Sequence, residues 1–228
     1  MTRLAVFDCD GTLVDSQANI CRAMELAFVS AQLMPPDRSA IRRIVGLSLV
    51  EAVARLAPDA EPALHAAVAE DYKQHFRAMR TNGGLAEEPL FDGIAEVLEQ
   101  LADDGWLLGV ATGKSDRGLS LLLAHHGLTH RFVTLQTADR HPSKPHPSML
   151  QLAMAEAGAE PQDTVMIGDT SFDIAMAAAA GVHPIGVAWG YHSVAELTAA
   201  GASHVLEHAS ALPALAQALC PAREAVRG

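Results

Sequence analysis

The sequence predicts an α/β fold, a doubly wound, mostly parallel sheet interrupted after its first strand by an all-helical insertion. Three observations carry this. Leu4-Ala5-Val6-Phe7 has the length and composition of a short buried strand. From Gln17 to about Arg80 only helical periodicity is visible. After the flexible break Thr81-Asn82-Gly83-Gly84, helix-like and strand-like segments alternate. The organisation expected is a core of residues 1–16 and 85–228, with 17–84 as a helical cap.

The elements follow in order. A helix is expected over Gln17–Leu33, stopped by Pro35-Pro36, and a second over Asp37–Val45, with Asp37 as N-cap. Gly46-Leu47-Ser48 breaks it, and a third helix runs to Leu56. A longer one spans Glu61–Arg80, where Leu64, Val68, Tyr72 and Phe76 recur at a helical period. The second part reads as helix Gly93–Asp104, strand Leu107–Ala111, helix Asp116–His126 and strand Phe132–Leu135. Helix Pro147–Ala157, strand Thr164–Ile167 and helix Phe172–Ala180 come next. A strand Val182–Val187 broken by Pro184, a helix Val194–Ala200, a short strand His204-Val205 and a helix Ala209–Leu219 complete it. Strands alternating with helices argue parallel crossovers.

Composition bounds the partners. Sixteen basic against 27 acidic residues give a net charge of −11, which argues against a nucleic-acid or anionic-membrane partner. A small anionic substrate stays open where basic residues converge. The three cysteines, Cys9, Cys21 and Cys220, are odd in number and lack metal-ligand spacing, so no disulfide framework is expected. No signal-peptide pattern precedes Leu4, and no apolar run reaches the ~18 residues of a membrane span. A cytoplasmic setting and a monomer or homodimer are expected.

Four motifs follow four strands. Asp8-Cys9-Asp10-Gly11-Thr12 puts two carboxylates where the first strand ends, the edge of an open α/β sheet at which ligands bind. Thr112-Gly113-Lys114 offers a hydroxyl and free backbone N–H groups to phosphate oxygens. Lys144-Pro145 holds a cation in a proline-stiffened loop. Gly168-Asp169-Thr170-Ser171-Phe172-Asp173 sets two acids four residues apart across a strand end and a first helical turn. Each alone has a plainer explanation: a solvated turn, a Thr or Asp helix cap, an exposed loop lysine. All four at successive strand ends, with the charges that phosphoryl chemistry needs, make the plain explanations poor. Hard oxygen ligands from Asp8, Asp10 and Asp169 favour Mg²⁺. Thr112 and Lys144 would balance phosphoryl oxygens.

In these four motifs, DxDGT at Asp8–Thr12, Thr112, Lys144 and GDxxxD at Asp169–Asp173, the sequence resembles the haloacid dehalogenase-like hydrolases from Leu4 to about Leu206. The run Asp10-Gly11-Thr12-Leu13-Val14-Asp15-Ser16, the helical insertion and Gly186–Tyr191 resemble the phosphoglycolate phosphatase-like branch. The resemblance implies a Rossmann-like core and an Mg²⁺-dependent phosphatase acting on a small phosphorylated metabolite, with 2-phosphoglycolate the first substrate expected. Asp8 would be the nucleophile that forms an aspartyl-phosphate. Asp10 would be general acid, then base. Asp8, the Asp10 carbonyl and Asp169 would ligate the metal, and Asp173 would stand behind them or bind through water. Sugar-phosphate mutases, and pyrophosphatases or nucleotidases, share the core motifs. A haloacid dehalogenase needs no acid at Asp10. A phosphonate hydrolase would want a cap lysine, and Lys73 is the one lysine of residues 17–84. A non-catalytic relative would not need every motif residue.

Three features remain. Cys9 is expected to point into the fold, away from the metal. None of the 11 histidines has metal-ligand spacing backed by an acid. Arg42 and Arg43, just before Gly46 in the insertion, are expected with Gly46 and Gly113 to contact the substrate; a solvated arginine pair on a helix face is the competing reading.

Overall fold

The computed structural model describes residues 1–222. Six strands form one sheet: β1 (Thr2–Phe7), β2 (Trp106–Thr112), β3 (Thr134–Thr137), β4 (Ala159–Gly168), β5 (His183–Val187) and β6 (His204–Leu206). All neighbours are parallel, in the order β3-β2-β1-β4-β5-β6. The order reverses direction at β1, so its carboxyl end lies at a topological switch point.

The chain alternates faces along β1, as a strand must. Ala5 and Phe7 join an apolar layer with Leu98 of α5 (Ile94–Asp103), Leu119 of α6 (Asp116–His125) and Ala216 of α10 (Leu212–Leu219). Leu4 and Val6 face the opposite layer, with Met149 and Ala153 of α7 (Ser148–Ala157) and Met176 of α8 (Ser171–Ala180). Both faces are covered, which explains why the central strands are apolar runs and not alternating ones. A short helix, α9 (Val194–Ala199), packs beside β5 and β6.

Between β1 and α5 lie four helices and no strand: α1 (Gln17–Ser30), α2 (Arg38–Arg42), α3 (Leu49–Leu56) and α4 (Pro62–Thr81). They share a separate apolar cluster around Met24, Phe28, Ile41, Val53 and Val68. Phe172, in the first turn of α8, and Tyr191, from the loop beyond β5, pack against it.

Several boundaries differ from those expected. α1 stops at Ser30, and Gln32 takes a left-handed conformation with φ 59°. Asp37 flanks α2 but makes no side-chain cap hydrogen bond. β3 starts two residues later than the apolar run Phe132–Leu135 implies, because its pairing with β2 begins at Gly109–Thr134 and ends at Thr112–Thr137. This draws two polar residues, Gln136 and Thr137, into the sheet. They are tolerated because they are bonded: Gln136 Nε2 donates to Glu156 Oε2 at 2.8 Å, and Thr137 Oγ1 to Asp116 Oδ1 at 2.7 Å. Pro184 does not break β5. β6 pairs only from Ile185 onward, so the missing Pro184 N–H costs no ladder bond on that side. The last helix begins as a 3₁₀ turn over Ala209–Ala211. Among the described residues no helix is long and apolar enough to cross a membrane.

Candidate active site

Asp8 follows directly on β1, and its N–H donates to the Ile167 carbonyl of β4 at 2.9 Å. That bond carries the sheet ladder one residue further and aims the Asp8 carboxylate out of the sheet end. Gly168 closes β4, and Asp169 follows, so the two acids leave adjacent strands side by side. Gly11 makes possible the turn that follows Asp8 and packs against Asp169. It sits at φ +87°, and a Cβ there would lie 2.2 Å from Asp169 Oδ2.

Carboxylate oxygens of Asp8, Asp169 and Asp173 lie within 4.8 Å of one another, and all three side chains are fully buried. Lys144 Nζ stands 2.8 Å from Asp8 Oδ1 and 2.6 Å from Asp173 Oδ1, itself sealed from solvent. Asp173 Oδ2 accepts from the Thr170 hydroxyl at 2.7 Å and the Thr170 N–H at 3.1 Å, one half of a capping box that starts α8. Asp169 accepts from Thr12 Oγ1 and from the Tyr191 N–H, each at 2.9 Å. Neither Asp8 oxygen has a hydrogen-bond partner among the described residues; Oδ1 has the ion pair with Lys144, and Oδ2 has no partner of either kind.

The charges do not balance. Three buried carboxylates face one ammonium, which leaves two negative charges without a partner. Burial therefore pushes the Asp8 carboxyl up to about 7; Lys144 opposes this, and Asp173 and Asp10 add to it. Asp169 is raised too, first by burial and then by Asp8 and Asp173. Burial works against the Lys144 ammonium, but Asp173 and Asp8 outweigh it and hold the charge firmly. A divalent cation held by oxygen ligands fits this set: hard donors, an unpartnered oxygen and an excess of negative charge.

Asp10 points elsewhere. Its Oδ1 pairs with Lys114 Nζ at 2.8 Å and accepts from the Ser16 hydroxyl. Its carboxylate is thus outside the buried acidic cluster, and it lines a cavity of ≈ 580 Å³ instead. Thr112 ends β2 buried, and its Oγ1 accepts from the Lys114 N–H at 3.2 Å. Ser115, not Thr112, caps α6, accepting from the Gly118 N–H at 3.1 Å, so the Thr112 hydroxyl is not spent on a helix.

The insertion closes directly on these loops. A Cβ at Gly113 would lie 2.5 Å from the Leu47 carbonyl and 2.9 Å from that of Gly46. The Ser48 N–H donates to Ser143 Oγ, one residue before Lys144, at 2.8 Å. Gly46 and Gly113 both line the cavity. Arg42 and Arg43, expected to contact substrate, do not line it. Ile41, Ile44 and Val45 turn inward to the helical cluster, so the arginines between them turn out. Arg42 donates to Gln17 Oε1 at 2.9 Å, and the exposed Arg43 pairs with Glu196. The cations at the cavity are Lys73, Arg77 and Arg80 of α4, with Lys114 and Arg117 of the core. Sequence reasoning missed these. The one available signal was the i, i+4, i+7 spacing of Lys73, Arg77 and Arg80, which marks a single helix face. Cys9 is buried among Leu13 and Val14, and burial raises its thiol well above the usual range, so it is no nucleophile. Among the described residues no histidine belongs to a metal-binding cluster.

A buried carboxylate at the end of β1, an ammonium held against it and a buried acidic cluster thus meet at the switch point of an α/β sheet, an arrangement suited to phosphoryl chemistry. Residues 5–187 match the family model described as "Haloacid dehalogenase-like hydrolase", and the chain belongs to that family. It is 38% identical over 224 residues to "Probable phosphatase IndB" of Dickeya dadantii, covering 96% of this chain and 95% of the relative. It is 30% identical over 218 residues to the phosphoglycolate phosphatase of Yersinia pestis, covering 93% of each. The crystal structure of "a predicted phosphatase from Clostridium acetobutylicum" superposes with a TM-score of 0.83 at 26% identity, covering 96% of this chain and 98% of that one. The chain is thus a phosphatase of the phosphoglycolate phosphatase-like branch.

Proposed function

We propose that the protein hydrolyses a small phosphomonoester in two displacements at Asp8, with Mg²⁺ as its metal. The observation that carries this is Asp8 itself, a buried carboxylate with one oxygen clamped by Lys144 and the other unpartnered. In the first displacement Asp8 Oδ2 bonds to phosphorus as the bond from phosphorus to the alcohol oxygen breaks. Asp10 gives its proton to that oxygen. In the second, Asp10 takes a proton from water, whose oxygen bonds to phosphorus as the Asp8–phosphorus bond breaks. Thr112 and Lys144 hold phosphoryl oxygens throughout. Asp8, Asp169 and the Asp10 carbonyl would hold the metal, and Asp173 would stand behind them, its own oxygens already taken by Lys144 and Thr170. When bound, the metal masks the repulsion between the carboxylate and the phosphate dianion.

In this reading residues 17–84 act as a cap over a core of 1–16 and 85–228. Asn19 ties α1 to the second connection: its Oδ1 accepts from the Ala86 N–H at 2.8 Å, and its Nδ2 donates to the Ala86 carbonyl at 2.9 Å. The substrate first expected, 2-phosphoglycolate, has the support of the Yersinia relative. It is the smallest of a class, alcohol phosphates that carry a second anion. A cytoplasmic setting is supported by three cysteines that are all free, and a monomer or homodimer belongs to the same reading. The test is acid quenching during turnover of a ³²P-labelled phosphomonoester. Label should appear in the protein with Mg²⁺ and be missing with chelator or in Asp8→Asn. Turnover without labelled protein would remove the covalent route.

A further inference from the structure

We infer that the preferred substrate is larger than a two-carbon phosphate: its alcohol is an apolar body that ends in a second anionic group. This rests on the phosphatase reading above and concerns the same site. The cavity beside Asp10 is ≈ 580 Å³, within the range that encloses drug-sized ligands. It follows α4 from Tyr72 to Thr81, roughly 13 Å at the rise of an α-helix. A two-carbon alcohol ends two bonds from the bridging oxygen and leaves most of this space to water.

The lining runs from buried to exposed residues. Asp10 is 7% exposed and forms the floor, where the chemistry is. The walls are apolar: Ile20, Met24, Ile44, Leu49, Tyr72 and Phe76. Arg77 and Arg117 are exposed and stand at the mouth, one from the insertion and one from α6. Five cations line the cavity against two acids, Asp10 and Asp139, in a chain whose net charge is −11. Those at the mouth are loosely held. Arg77 has only an exposed contact with Glu70 at 4.0 Å, and Arg117 has no ion pair among the described residues. By contrast Lys114, deeper, is committed to Asp10 at 2.8 Å. A phosphate on the floor, an apolar body along α4 and an anion at the mouth satisfy all three zones at once.

Three probes test this, two matched in shape and one smaller. They are 4-carboxyphenyl phosphate, its neutral amide 4-carbamoylphenyl phosphate, and 2-phosphoglycolate. The amide is the more electron-withdrawing, so leaving-group chemistry alone favours it over the carboxylate. We expect kcat/KM for the carboxylate to exceed that of the amide and of 2-phosphoglycolate by about tenfold or more. Arg77→Ala and Arg117→Ala, both exposed positions, should each collapse the carboxylate-over-amide ratio towards one, and Arg42→Ala should leave it intact. Calorimetric binding of the same probes to Asp8→Asn reads the preference without turnover. No turnover of any probe, with binding still favouring the carboxylate, would overturn the phosphatase reading and leave the cavity assignment standing. Equal binding and turnover of carboxylate and amide, or a preference for 2-phosphoglycolate, would overturn the cavity assignment and leave the phosphatase reading standing.

Discussion

At the strand ends every acid of the buried cluster is tied down: five of its six carboxylate oxygens have a named partner, and Lys144 has two. Across the cavity, on α4, the cations are held by pairs of 3.8 to 4.0 Å. The first region is built before any substrate arrives. The second is a set of long side chains over an open space. The difference teaches that, on the function proposed above, reaction and selectivity are separately encoded: the floor would meet the phosphoryl group and the bridging oxygen, and the insertion the rest of the alcohol. A change in the floor should abolish turnover for every substrate, and a change in the insertion should alter the ranking of substrates.

The comparison breaks if floor residues tolerate change. Asp8→Asn should lower kcat for all substrates on the order of a thousandfold or more, because an amide is a poor nucleophile. More than a few per cent residual activity in the purified variant would defeat the nucleophile assignment. Lys144→Met comes next. It leaves Asp8 and Asp173 buried without their cation, and removing one partner of a buried pair costs about 3–5 kcal/mol. Denaturant unfolding of the metal-free protein should show that loss; a change below about 1 kcal/mol would mean that Lys144 does not neutralise the cluster.

The metal sharpens the comparison, since only the floor should respond to it. Chelator should abolish activity and Mg²⁺ restore it. Asp169→Ala should raise the Mg²⁺ requirement or remove activity. The pH dependence follows from Asp8, whose carboxyl rises from 3.8 to about 7 on folding. The folded state then holds a proton that the unfolded state has released, so the metal-free protein loses stability as pH climbs between those values. A bound cation takes the proton's place. The rise in Tm caused by Mg²⁺ should therefore be larger at about pH 8 than at about pH 5. An equal rise at both, in scanning calorimetry, would separate the cation from the Asp8 charge.

The smallest effects belong to the outward arginines. Arg43→Ala removes an exposed pair with Glu196, for which a change of about 0.2–1 kcal/mol is expected. Arg42→Ala removes one hydrogen bond to Gln17. Neither should change kcat/KM for an anionic substrate by more than about twofold. A tenfold loss in either would return this helix to the substrate site and undo the contrast drawn with Arg77 and Arg117.

The sequence by itself determined the alternation of strands and helices, the place of the insertion and the residues of the floor. The reason is local. A buried parallel strand must be an apolar run, and its carboxyl end fixes where the next two or three side chains go. Asp8, Thr112 and Asp169 therefore inherit their places from strands legible in one dimension. Lys144 and Asp173 lie a few residues further on, and only the tertiary structure shows that they meet at 2.6 Å. The same holds for β3, whose start was decided by pairing with β2 and by the bonds of Gln136 and Thr137, not by its apolar residues. In the insertion, Arg42-Arg43 and Lys73, Arg77, Arg80 are equally visible as charges. Which of them faces the cavity depends on how α2 and α4 rotate to bury Ile41, Ile44 and Val68, and that rotation is settled by packing between helices distant in sequence.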